Sequence, residues 1–131
     1  MLDSAKPDRM LWIGRSASAL VIAAQLIDAS AQFFVPNLAA GMLREAGFAP
    51  AIAPVLGTIM VACAVLYAIP ATAFLGAILV TGFLGGAICA HVRLGELGSP
   101  PELISLLLGL FAWGGLYLRD RRLHPLLPIR Q

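Results

Sequence analysis

Four apolar runs, Met10 to Phe34, Ala51 to Ile69, Ala73 to Ala90 and Leu103 to Leu118, take up most of the chain. Each approaches the roughly 20 residues that a helix rising 1.5 Å per residue needs to cross about 30 Å of hydrocarbon. The chain of 131 residues is 60% hydrophobic and 12% charged, with a mean hydropathy of +0.88. Soluble domains are about half apolar and about a quarter charged, so a water-soluble fold would lack the polar residues to cover its surface. Membrane-spanning strands would have to close into a barrel of about eight or more with alternating polarity, and no such alternation is present. The expected architecture is all-α: an integral membrane four-helix bundle forming a single domain, with spans near residues 10–34, 51–69, 72–91 and 100–118.

The punctuation supports these spans. Pro50 and Pro54 fall at the start of the second run, where missing amide donors matter least. "IPAT", Ile69 to Thr72, leaves room only for a tight turn, so spans two and three form an antiparallel hairpin. "SPPE" predicts a capping box before span four, with Ser99 as N-cap and Glu102 at N3. "NLAAGMLREAG" predicts a short surface helix between spans one and two, capped by Asn37 and stopped by Gly47. "ASAQ", Ala29 to Gln32, also resembles a signal-peptidase site. Gln25 and Asp28 in the preceding run argue against cleavage, which would leave three spans.

With four spans both termini share a side. That side carries Lys6, Arg9, Arg15, Arg119, Arg121, Arg122 and Arg130, against Arg44 and Arg93 opposite. Seven against two predicts cytoplasmic termini by the positive-inside bias. The net charge of +2 is too small to suggest nucleic-acid binding. Cys63 and Cys89 form no CxxC pair, and the hairpin register separates them by roughly 16 Å in height, beyond the reach of a disulfide. His91 has no second ligand at helical spacing, so no metal site is expected.

Span one carries Gln25, Asp28 and Gln32 on one helical face, with Ser18 two turns below. Asp28 and Gln32 lie at about the depth of His91, at the outer boundary of span three, and of Arg93. The bland reading pairs Asp28 with Arg93 or His91, locking span one to span three, because intramembrane charges commonly pair. The functional reading is an outward-facing polar pocket between those spans, built from Gln25, Asp28, Gln32, His91, Arg93 and Glu96. It would take a lipid headgroup, a quinone ring or a small lipid-soluble substrate. An enzyme built there would use Asp28 as acid or base, with His91 or Arg93 orienting a developing anion. Gly82, Gly86 and Ala90 recur every four residues beside Gly85, a small-residue face expected to serve helix packing, with dimerisation as the alternative.

"LYAIPATAFLGAILVTGFLGGAICAHVRLGE", Leu66 to Glu96, closely resembles the signature of DoxX-like membrane proteins. "LIDASAQFFVPNLAAGMLREAGF", Leu26 to Phe48, resembles that family's first span and loop, so the likeness covers roughly residues 12–118. It implies a four-span bundle in a prokaryotic cytoplasmic membrane. It also implies an accessory or anchoring role beside a membrane partner, such as a quinone-linked oxidoreductase, or in animals an assembly role. Quinone or lipid would be the bound molecule, and a membrane protein or a second copy the partner. The chain departs from the family pattern at Gln32, where lysine is usual, and near Met60, where glutamate is frequent. If those residues form an ion pair or proton relay in relatives, this chain lacks it.

Overall fold

The computed structural model describes residues 5–126, with side chains from Asp8 onward. Arg130 and the Lys6 side chain lie outside the described residues. Helix α1 spans Ala5–Phe34, α2 Pro36–Glu45, α3 Ala53–Ala68, α4 Ala73–Arg93 and α5 Pro100–Arg119. Short 3-10 turns at Pro50–Ile52 and Arg121–Leu123 lead into α3 and follow α5. Four helical stretches are long and apolar enough to cross a membrane: Asp8–Phe34, Pro50–Ala68, Ala73–Arg93 and Pro100–Arg119. Their outer faces carry large apolar side chains such as Ile27 and Leu110, 71% and 64% exposed. A soluble monomer rarely exposes continuous apolar surface of this kind, whereas lipid covers it without cost.

The four long helices form a ring in the order α1, α3, α4, α5, each packed on two neighbours. Helices α1 and α4 are therefore diagonal and make no direct helix–helix contact. The register is antiparallel throughout. Gly14 near the start of α1 meets Gly115 and Leu118 near the end of α5, while Gly57 near the start of α3 meets Phe33 at the end of α1. Both described chain ends leave from one end of the bundle; α2 and the 94–99 connection lie at the other.

Local sequence accounts for the helix ends. Helix α2 stops in a Schellman arrangement at Gly47 (φ +80), with the Gly47 amide donating to the Arg44 carbonyl and that of Phe48 to Leu43. Helix α4 stops the same way at Gly95 (φ +79), where Glu96 N donates to His91 O. Only glycine takes that backbone conformation without strain. The expected Asn37 cap is corrected: Val35 holds the N-cap position and Asn37 sits inside the helix, because Pro36 supplies the first helical residue. Ser99 does hold the N-cap position of α5, but its hydroxyl makes no capping bond. Glu102 Oε2 accepts from Gly98 N at 2.7 Å, so half of the expected capping box forms, one residue early. The tight Ile69–Thr72 turn is present, with Thr72 Oγ1 donating to Leu66 O at 2.8 Å. Helix α1 runs unbroken through Ala29–Gln32. Cys63 and Cys89 are both free, one buried and one exposed.

The core lies in the half of the bundle nearest the termini. Val21, Tyr67, Val80, Ala112 and Leu116 are all but sealed from solvent there. The Gly14 and Gly115 backbones touch, since a β-carbon on Gly115 would come within 3.0 Å of the Gly14 carbonyl oxygen. A β-carbon on Gly76 would collide with the backbone of Leu66 and Tyr67. Close backbone approach gives van der Waals contact that lipid cannot replace, which is the main source of helix cohesion in a bilayer.

Candidate functional site

Away from the termini the ring of helices does not close. A cleft of about 680 Å³ opens among α1, α2, α3, α4 and the start of α5. Its walls are mostly apolar, including Leu56, Met60 and Phe83. Six polar side chains line it: Asp28, Gln32, Glu45, His91, Glu96 and Ser99. The diagonal placement of α1 and α4 is what makes the room, because neither helix can fill the space between them.

Four of the six residues expected to gather here do so: Asp28, Gln32, His91 and Glu96. Gln25 shares their helical face but lies deeper, 2% exposed, with its Oε1 unpaired. Arg93 does not line the cleft; its guanidinium turns to the Ala46 carbonyl at 3.5 Å, over the end of α2. The expected pairing of Asp28 with Arg93 or His91 is thus overturned. His91 Nδ1 lies 2.8 Å from Glu96 Oε2, the geometry of an imidazole N–H donating to a carboxylate, and this is the one contact between a basic and an acidic side chain within 4.0 Å among the described residues. The physical reason is the ring order, which puts α1 across the bundle from α4, while the Gly95 turn brings Glu96 back over its own helix.

Two polar atoms of the lining are buried without a hydrogen-bond partner, Gln32 Oε1 and Ser99 Oγ. Buried polar atoms in proteins are nearly always paired, so each such orphan calls for an explanation. Helix α1 fixes Gln32 one turn beyond Asp28, and the Pro100–Pro101 start of α5 fixes Ser99 at the cleft edge.

The small-residue expectation for α4 is corrected as well. A β-carbon added to Gly82, Gly85 or Gly86 would meet nothing within 4 Å, so these glycines do not bring helices together within the chain. Gly82, Gly86 and buried Ala90 instead form a wall of the cleft, where small residues leave volume for something else. The close-packed glycines are Gly14, Gly57, Gly76 and Gly115.

Sequence reasoning passed over a second polar cluster, at the closed end. Tyr67 is fully buried; its hydroxyl donates to Ala112 O at 2.7 Å and lies 3.0 Å from Ser18 Oγ. Arg119 donates to the Tyr67 carbonyl at 2.6 Å and stacks its guanidinium 4.9 Å above the ring. The available signal was a phenol inside an apolar span, since a buried tyrosine hydroxyl requires a partner. This cluster ties α1, α3 and α5 together. Among the described residues no group of three or more His, Cys, Asp or Glu is placed to hold a metal ion.

A bundle of four apolar helices, closed at one end and cleft at the other, defines a small integral membrane protein with an internal polar site. The chain matches the DoxX-like family over residues 16–115 and belongs to it. No curated protein and no solved structure matches it. Gln32 and Met60, the positions at which the resemblance implies other residues, both line the cleft.

Proposed function

We propose that the protein binds a lipid-soluble small molecule with a polar head in the cleft at the bundle end opposite the termini. The observation that carries this reading is one opening that combines apolar walls with two buried, unpaired oxygens, Gln32 Oε1 and Ser99 Oγ. Ligand pockets commonly hold about 300–1,000 Å³ and set a few polar groups in an apolar lining. A lipid headgroup or the quinone ring implied by the family resemblance are both guests of suitable size. Binding is the function proposed, because of the two groups an enzymatic reading would aim at a developing anion, Arg93 is turned away and His91 is held by Glu96.

The seven-to-two division of basic residues supports cytoplasmic termini and an outward cleft. A prokaryotic cytoplasmic membrane is the setting that the family resemblance favours. Native mass spectrometry of the protein released from a mild detergent tests the binding reading. The expected result is a lipid-soluble adduct, one per chain, that disappears in Gly86→Leu. Identical adducts on both proteins, or none on either, would contradict it.

The accessory role implied by the resemblance is a second reading, favoured by the outward small-residue surface at Gly85 and Cys89, which a partner helix could approach closely. Copurification from mild detergent tests it. A chain always isolated alone counts against it.

A further inference from the structure

We propose that the cleft selects an amphiphile whose head carries positive charge and donates hydrogen bonds: a long-chain amine, not an anionic lipid. The proposal rests on the reading of the cleft as a binding site and names its ligand class. Three carboxylates, Asp28, Glu45 and Glu96, line the opening, and no lysine or arginine does. Glu96 already has His91, and Arg93 is engaged at the Ala46 carbonyl. Asp28 therefore has no ion-pair partner among the described residues. A carboxylate within a span is costly unless it meets a countercharge or water.

A second observation points to the same ligand. Gln32, one turn beyond Asp28, lines this opening and is only 8% exposed, and its Oε1 is buried without a donor. Its unpaired atom is an acceptor, as is the Asp28 carboxylate. A primary ammonium brings three N–H donors and no acceptor, enough for Asp28, Gln32 Oε1 and Ser99 Oγ at once. A phosphate head would instead set acceptors against acceptors and negative charge against negative charge. An alcohol supplies one donor and no charge, so it ranks between them. The apolar walls suit the chain of such a molecule, and the glycines of α4 leave room for it.

The test uses the full chain in zwitterionic lipid nanodiscs, titrated with radiolabelled oleylamine, oleyl alcohol and monooleyl phosphate. Oleylamine is expected to bind saturably, at least about tenfold more tightly than the alcohol and about a hundredfold more tightly than the phosphate. Asp28→Asn should weaken amine binding by about tenfold or more while leaving the melting temperature unchanged. Gly86→Leu, which fills the cleft without touching the packed end, should remove saturable binding of every probe. Phosphate binding as tight as amine binding, or amine binding unchanged in Asp28→Asn, overturns the ligand class while the cleft stands as a site. Absence of saturable binding by all three probes overturns the ligand class and the binding reading together.

Discussion

The two ends of this bundle use the same materials, glycines on helix faces and a few polar side chains inside apolar spans, to opposite effect. At the end carrying the termini, Gly14, Gly76 and Gly115 each face a neighbouring backbone, and Tyr67 joins Ser18, the Ala112 carbonyl and Arg119, whose Nε alone stays unpaired there. At the other end Gly82 and Gly86 face open space, and Gln32 and Ser99 keep unpaired oxygens. A glycine on a transmembrane helix thus marks either contact or vacancy, and the facing helix decides which. Likewise a buried polar group either joins helices or waits for a guest.

The largest expected contrast comes from placing the same bulky side chain at each end. Gly76→Leu would drive a side chain into the Leu66–Tyr67 backbone, and Gly86→Leu would enter the cleft. Overpacking typically costs about 1–3 kcal/mol, and more where backbones touch. Gly76→Leu should lose monodispersity on size exclusion in detergent, whereas Gly86→Leu should elute and melt like the parent. Equal damage from both would mean that the cleft is closed in the membrane.

A smaller effect is expected from Tyr67→Phe, which removes the hydroxyl shared by Ser18 and the Ala112 carbonyl. Leaving buried partners unpaired costs about 1–3 kcal/mol, read as a lower melting temperature. An unchanged midpoint would show that water reaches the closed end. Smaller again is Glu102→Ala, which frees the Gly98 amide at an exposed helix start and should cost about 0.5–2 kcal/mol.

Asp28→Leu should cost least, and less than Glu102→Ala. A buried ion pair broken at one partner loses about 3–5 kcal/mol, but Asp28 has no such partner to lose. A melting temperature that falls further in Asp28→Leu than in Glu102→Ala would reveal a countercharge at Asp28.

The closed end and the open end were not equally legible in the sequence. The spans, the Ile69–Thr72 hairpin and the Gly47 stop follow from hydropathy, loop length and backbone conformation, which are local properties. The polar face of α1 was legible too, because a 3.6-residue period puts Gln25, Asp28 and Gln32 in line. The ring order was not. Helical periodicity shows which residues share a face and leaves open which helix they meet, so α1 and α4 were read as partners when they are diagonal. The Gly82–Ala90 stripe misled for the same reason, as small residues serve packing only where another backbone lies opposite. Tyr67 was overlooked because hydropathy treats it as one more residue of an apolar run, while its role rests on Ser18 and Arg119, each about 50 positions away.

Thiol labelling measures most directly whether one end is open and the other shut. With Cys63 and Cys89 replaced by alanine, a single cysteine is placed at Gly86 in the cleft or at Ala112 in the packed end. Each variant is then treated with a water-soluble maleimide in membrane fragments accessible from both faces. The cysteine at position 86 should label readily and the one at position 112 should stay unmodified until the protein is unfolded. Protection at position 86 equal to that at position 112 would contradict an open cleft, and with it the binding function built upon it.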